Sequence, residues 1–206
     1  MQNQQFFKIC SPQGTYSAPR EQIVETLHVL FNLHPTNTCQ PSHIDPLMHI
    51  YNGSTSLCDR RLLSIFQLFE RQRKSSIASI LGRWSAVPGQ TSTTALEALQ
   101  SLDPIRTLRT CLSFPMQRSL AQLPHEVFDR DQTDLYDPVF VLSLFGIMMS
   151  NSPPSSALAW VGLFRTNVVS LMVRTLSAKS DDLRALSLFH LASLWKNLEV
   201  CQLLKP

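Results

Sequence analysis

The sequence predicts an all-α protein, and three observations lead to that prediction. Glycine is scarce, with 6 residues in a chain of 206, which argues against a turn-rich β-sandwich. No segment alternates apolar and polar residues with the period of two that a half-buried strand requires. Small polar residues that favour helix N-termini recur along the chain, several of them directly before a proline. Together these features favour a fold built from helices.

Five helix starts are predicted from capping residues and from apolar residues at helical spacing. After the first start, apolar residues follow one another at intervals of three and four positions. At the second, an aspartate three residues on places a carboxylate near the positive end of the helix dipole. The predicted starts are Pro19, Ser56, Asp103-Pro104, Asp137-Pro138 and Ser180.

A short internal repeat points to the kind of helical fold. The tetrapeptide Leu-Ser-Leu-Phe occurs at 142–145 and again at 186–189, and Asp137 and Asp181 precede the two copies by the same distance. The spacing of 44 residues lies within the period of armadillo and HEAT repeats, which is about 40–47 residues. We therefore predict an armadillo/HEAT-like helical repeat, an α-solenoid. A four-residue match in a chain rich in Leu and Ser also arises by chance, and that interpretation stays open.

The same patterns suggest how the chain is divided. We expect a flexible N-terminal segment at 1–18 and an α-helical repeat domain at 19–206. The last predicted helix is apolar around most of its circumference, with a thin polar stripe of Arg184, Ser187, His190, Ser193 and Lys196. A free solenoid end needs a capping repeat with a polar outer face, and none precedes Pro206. We therefore expect the repeat domain to be truncated at its C-terminal end.

Motifs of catalysis and cofactor binding are missing from the sequence. The glycines match neither the dinucleotide-binding nor the P-loop pattern, and no G-x-S-x-G nucleophile elbow occurs. The best metal candidate is the set Cys39, His43, His49 and Cys58, but its spacing matches no usual zinc pattern. We predict a protein that is not an enzyme and that has no cofactor and no metal.

A basic cluster follows Ser56, although the whole chain carries a formal net charge of only +3. On a continuous helix Arg60, Arg71 and Lys74 fall on one face, opposite an apolar face, and such a stripe could follow a phosphate backbone. We name these three residues as the RNA-binding candidates. The alternative is that the stripe is only a solvated helix face, which is what most charge runs are.

Four segments together resemble one known family. These segments are 51–56 with Asp59-Arg60, 110–115 with Arg118, 136–142, and 176–185. In order and spacing they resemble the C-terminal domain of the nucleolar pre-ribosomal-associated protein 1 family, the unhealthy-ribosome-biogenesis scaffolds. The resemblance extends over roughly residues 45 to 200.

The resemblance implies a non-enzymatic scaffold of pre-ribosomal particles. It implies that the protein lies in the nucleus, within the nucleolus. Such a scaffold supports early assembly of the large subunit and rRNA processing. It implies as partners the assembly proteins of early large-subunit precursors and also pre-rRNA, with no small-molecule substrate and no membrane. The competing hypothesis is a general armadillo-type protein–protein adaptor with no RNA role.

Overall fold

The computed structural model describes residues 4–10, 17–87, 90–120 and 134–200, and these form twelve α-helices and one 3-10 turn, Pro41–His43. The six helices of the N-terminal half are α1 (Gln4–Cys10), α2 (Ser17–Leu33), α3 (Pro35–Thr38), α4 (Ile44–Ile50), α5 (Leu57–Arg71) and α6 (Ile77–Leu81). The other six are α7 (Ala95–Gln100), α8 (Pro104–Leu112), α9 (Pro138–Asn151), α10 (Ala157–Phe164), α11 (Val168–Thr175) and α12 (Asp181–Val200). Within the described ranges no strand forms, which confirms the all-α prediction there.

Capping hydrogen bonds set four of the predicted helix starts. The Ser56 hydroxyl accepts a bond from the Asp59 amide at 3.2 Å, and the Asp103 carboxylate accepts one from the Ile105 amide at 2.8 Å. Asp137 and Ser180 cap α9 and α12 in the same manner. These four predictions are confirmed, because each cap satisfies an amide that the first helical turn leaves without a partner.

The helix predicted from Pro19 begins two residues earlier, at Ser17. Pro19 therefore lies in the first turn, where its missing N–H removes no hydrogen bond. The range 1–18, for which the sequence predicts a flexible segment, contains α1, and Phe7 packs edge-on against His49 of α4 with ring centroids 4.9 Å apart. The division of the chain at residue 18 stays a prediction.

The C-terminal half consists of two groups of three helices that pack against each other. Helix α7 contacts α10, α8 contacts α11, and α9 contacts α12. Three hydrogen bonds join α8 and the turn after it to α11 and its following turn at a constant separation of 63 residues. They run from the Asn167 side chain to Pro104 O, from Arg174 to Cys111 O, and from the Lys179 amide to Met116 O. A constant separation along both helices means that α8 and α11 run parallel.

Helix α9 lies at the centre of this half. It contacts α6, α7, α11 and α12, and its apolar residues are buried around most of the circumference, Phe140 and Phe145 completely. The sequence predicts such cover because this segment is apolar almost all round.

The middle of the polar stripe of α12, Ser187 and His190, faces inward, whereas Lys196 at its end is exposed. The Ser187 hydroxyl donates to Met172 O of α11 at 2.6 Å, and the His190 ring packs against Phe145 of α9. Several apolar residues of α12 are exposed instead, among them Leu188, Phe189 and Trp195.

Candidate functional site

The predicted RNA-binding stripe does not form as a single exposed face. Arg60 is only 3% exposed, whereas Arg71 and Lys74 lie at the surface. The prediction that Arg60 shares a solvent-facing stripe with them is therefore wrong. The physical reason is that Cys58, Asp59 and Arg60 of the first turn of α5 are all buried against other parts of the protein, and the solvent-facing residue of this turn is Leu57.

The remaining basic residues gather at the C-terminal end of α5. Arg71 ends the helix, Arg73 adopts a left-handed backbone conformation with φ of 54°, and the Lys74 amide closes the helix on Phe69 O. All three side chains are exposed, and we call them the cationic end of α5. The neighbouring Glu70 carboxylate accepts a hydrogen bond from the Ile77 amide. Cations at a helix C-terminus complement the helix dipole, and the same exposed charges are able to contact phosphates.

The four candidate metal ligands occupy separate surroundings. Cys39 and Cys58 are both buried, and burial raises the pKa of the Cys39 thiol, with smaller opposing effects from Thr38 and Lys74. The His43 ring is bonded to Thr38 O at 2.6 Å, and His49 packs on Phe7. In the part of the chain that the structure describes, no three His, Cys, Asp or Glu side chains approach closely enough to hold a metal ion. The absence of zinc stays a prediction.

A buried polar network surrounds the start of α5. The Asp59 carboxylate accepts hydrogen bonds from Arg20 at 2.8 Å, from the Ser54 amide at 2.8 Å and from the Ser54 hydroxyl. Ser56 bonds to the Ser54 hydroxyl and also caps α5. The charge of Asp59 is thus neutralised by Arg20 of α2, which ties α2 to the first turn of α5.

A second buried network joins the loop before α5 to the start of α9. Arg118 and Asp137 form a two-bond ion pair, with Nε to Oδ1 at 2.9 Å and the second nitrogen to Oδ2 at 2.8 Å. The Asp137 amide donates to Gly53 O at 2.8 Å, and the Tyr136 amide donates to the Thr110 hydroxyl at 2.9 Å. The first three segments of the family resemblance therefore meet in one place.

These motif residues hold the fold together and do not line an open site. Inside the protein the Asp59 carboxylate is paired with Arg20 and the Asp137 carboxylate with Arg118, as buried charges require. Sequence reasoning identified the segments but missed these pairings. The one local signal of such a pairing was Asp137, a capping aspartate directly before Pro138. A residue that caps a helix can also form an ion pair with a distant residue.

Exposed apolar residues mark a different candidate surface. On α8 three of them recur at helical spacing on the outer side, namely Ile105, Leu108 and Leu112, with Arg109 exposed among them. Contiguous exposed apolar groups of this kind are typical of protein interaction surfaces. None of the described helices combines the length and the apolar character that crossing a bilayer would need.

Comparison with known proteins gives matches in two organisms to proteins of the same name. Neither a family model nor a solved structure matches the chain. Over 208 residues it is 28% identical to a mouse (Mus musculus) protein, and over 205 residues it is 27% identical to the human (Homo sapiens) one; both bear the same name. The chain resembles nucleolar pre-ribosomal-associated protein 1. This confirms the similarity predicted from the motifs. Each alignment covers 89% of this chain, and the chain spans about 9% of the length of either nucleolar pre-ribosomal-associated protein 1.

Proposed function

We propose that this chain acts as a non-enzymatic scaffold in nucleolar pre-ribosomal particles and supports early large-subunit assembly and rRNA processing. The observation that carries the proposal is the similarity to nucleolar pre-ribosomal-associated protein 1 along 89% of the chain. That name places the relatives in the nucleolus and with pre-ribosomes, and we assign the same location and particles to this chain. Its partners are then assembly proteins of early large-subunit precursors, together with pre-rRNA.

We further propose that α7–α9 and α10–α12 are two successive armadillo-type repeats. The parallel pairing of α8 with α11 and the contact of α9 with α12 support this architecture, since equivalent helices of neighbouring repeats stack on each other. The connection between α8 and α9, residues 113–137, is longer than its counterpart 176–180. Because of this longer connection, hydrogen-bonded residues of α8 and α11 lie 63 residues apart, whereas the tetrapeptides of α9 and α12 lie 44 residues apart.

RNA contact in this scaffold would pass through Arg71 and Lys74 at the cationic end of α5. Both side chains are exposed, and the acidic neighbour Glu70 is bonded to the backbone. Arg60 would take no part, because it is buried. No cofactor or metal is needed for such a function.

The second candidate function is a protein–protein adaptor without an RNA role. The exposed apolar stripe of α8 favours it, because Ile105, Leu108 and Leu112 suit an apolar partner better than a phosphate backbone.

Gradient sedimentation of nucleolar extract that contains the tagged full chain tests these alternatives. The scaffold proposal predicts that the chain migrates with large-subunit precursors and shifts to light fractions after RNase treatment or at raised salt. Migration with the particles that survives both treatments would favour the adaptor. A chain that never enters the particle fractions would contradict the scaffold proposal.

A further inference from the structure

A serine stands directly after the cationic end of α5. Ser76 is exposed, and its backbone is extended, with φ of −71° and ψ of 144°. Its hydroxyl caps α6 by accepting a hydrogen bond from the Ser79 amide at 3.1 Å. Short connections between helices run over the surface of a protein, so another protein can reach the hydroxyl of Ser76.

The residues before Ser76 form a charge pattern that no other serine of the chain shares. An arginine lies three residues before each of four serines, namely Ser64, Ser76, Ser177 and Ser187. Ser76 alone among them has a second arginine five residues before it and a lysine two residues before it. These three basic residues are the cationic end of α5. Protein kinases discriminate among substrates by charge patterns of this kind.

The two arginines of this pattern are available to a partner. Arg71 and Arg73 are exposed, and within the described ranges neither forms an ion pair. Ser177 provides a contrast, because the arginine three residues before it, Arg174, donates to Cys111 O at 3.1 Å and to the hydroxyl of Ser177 itself. An acidic groove can therefore bind the arginines before Ser76 without breaking an existing ion pair.

The connection that leads to Ser76 is held in a conformation that favours its opening. Helix α5 ends at Arg71, and Arg73 lies in the left-handed region with φ of 54°, which a residue with a Cβ atom disfavours. Extending the connection removes this conformation. In an extended chain every second side chain points to the same side, so Arg71 and Arg73 would lie about 7 Å apart on one side of it.

We propose that Ser76 is a phosphorylation site for a basophilic protein kinase, whose acidic substrate groove binds Arg71 and Arg73. ATP is the phosphoryl donor. A bond forms between Oγ of Ser76 and the γ-phosphorus, the bond from that phosphorus to the β–γ bridging oxygen breaks, and the hydroxyl proton passes to a carboxylate base of the kinase. The products are phosphorylated Ser76 and ADP.

The phosphate counters the charge of the cationic end. Phosphorylation of a serine adds a charge of about −1.5 to −2 at pH 7. The Glu70 carboxylate, which accepts a hydrogen bond from the Ile77 amide at 3.2 Å, already places one negative charge beside the site. Together the two groups cancel most of the charge of the three cations. The site stands independently of the nucleolar function, whereas this effect on RNA rests on the RNA contact proposed above.

Phosphorylation of the folded chain tests the site. The full chain is incubated with ATP and the catalytic subunit of cyclic-AMP-dependent protein kinase, which selects basic residues before its target, and mass spectrometry locates the phosphate. Ser156 is the internal control. It is exposed, has an extended backbone and caps α10 through the Ala159 amide, but none of the five residues before it is basic. We expect phosphate on Ser76 and at least about tenfold less on Ser156.

Two variants make the result specific. Arg71→Gln with Arg73→Gln should slow phosphorylation of Ser76 at least about tenfold, because it removes both charges that the acidic groove binds. Ser76→Asn should accept no phosphate and should retain α6, because asparagine caps a helix as well as serine does. Circular dichroism of each variant checks that helicity is retained.

Filter binding to single-stranded RNA tests the effect of the phosphate. The phosphorylated chain should bind at least about fivefold more weakly at low salt, with a shallower dependence on salt, than the unmodified chain. Ser76→Asn treated with kinase and ATP should bind as the unmodified chain does. A chain that binds no RNA before phosphorylation would contradict the RNA contact but not the site, which mass spectrometry decides separately.

Three outcomes would overturn the proposal. The first is a folded chain without phosphate on Ser76 under conditions in which a synthetic peptide of residues 68–82 is phosphorylated. The second is equal phosphorylation of Ser76 and Ser156, or of the chain and its double arginine variant. The third is an RNA-binding chain whose affinity is unchanged by phosphate on Ser76, because the phosphate would then leave the cationic end unaffected.

Discussion

Arg118 and Asp137 form an ion pair with both residues almost fully buried, and Asp137 also caps α9. Arg118→Met should destabilise the protein by about 3–5 kcal/mol, because it leaves a buried carboxylate without its partner charge. Urea unfolding measures the loss. The control is Arg61→Met, since Arg61 pairs with the exposed Glu25, and an exposed pair contributes only about 0–1 kcal/mol. Equal losses in the two variants would show that burial of the pair has no energetic role.

Gly53 should tolerate no side chain. Its φ is +63°, and a Cβ atom there would lie 2.4 Å from Cε1 of the buried Phe140 ring. Gly53→Ala combines a left-handed conformation with overpacking, and we expect a loss of about 2–4 kcal/mol in the free energy of unfolding.

Gly162→Ala provides the matched comparison for Gly53. Gly162 lies inside α10, and the nearest atom to an added Cβ is the amide end of the flexible Gln100 side chain. We expect it to be neutral or to stabilise by up to about 1 kcal/mol, because alanine is the better helix former. A Gly53→Ala protein as stable as the Gly162→Ala protein would contradict the described approach of Gly53 to Phe140.

RNA binding, if carried by the cationic end of α5, should depend on salt through Arg71 and Lys74. The double change Arg71→Gln with Lys74→Gln should reduce the slope of log affinity against log salt concentration by about 0.7–0.9 for each lost phosphate contact. Filter binding to single-stranded RNA at several salt concentrations measures the slope. Lys179→Gln with Lys196→Gln removes the same charge from the other end of the chain and should leave the slope unchanged. An unchanged slope in the first variant would mean that the cationic end is only solvated.

His190 should make the stability depend on pH. Burial lowers the pKa of His190 below its ordinary value, and a bond to the Leu142 carbonyl partly opposes this effect. The unfolded chain then binds the proton more readily, so the contribution of His190 is fully present above about pH 6.5 and falls as the pH drops towards the lowered folded pKa. For a single titrating group, the free energy of unfolding cannot change by more than about 1.4 kcal/mol per pH unit.

Urea unfolding of the chain and of His190→Gln between pH 8 and pH 5 tests this prediction. The variant should lose less stability on acidification than the chain does. His28, whose pKa burial also lowers, is present in both proteins and cancels in the comparison. Parallel stability curves would show that His190 does not titrate against folding.

Local chemistry explains which helices the sequence predicts. Ser56, Asp103 and Asp137 satisfy amides within three residues of themselves, so their role is visible without any tertiary information. The start of α7 has the same kind of signal, since the Thr94 hydroxyl accepts from the Glu97 amide. Thr94 is not among the five predicted helix starts, so the short helix after it was not predicted from the sequence.

Orientation towards neighbouring elements is what the sequence does not reveal. Helical spacing places Arg60 with Arg71, but Arg60 is buried in the first turn of α5, whereas Arg71 at the far end is exposed. Likewise Ser187 and His190 are polar and yet face inward, because Met172 O and the space over Gly146 accommodate them. The packing partners of both helices lie far away in sequence, so periodicity along the helix cannot identify the buried side.

The ion pair between Arg118 and Asp137 also affects how the chain tolerates changes of length. These two residues bound the segment 119–136 and bring its ends together within the protein. Once two points of a chain are held together, doubling the number of residues between them costs only about 0.6 kcal/mol in chain entropy. Insertions and deletions should therefore accumulate before Leu135 among related proteins, and a fluorescent reporter placed between Ser119 and Asp134 should leave the stacking of α9 on its neighbours intact.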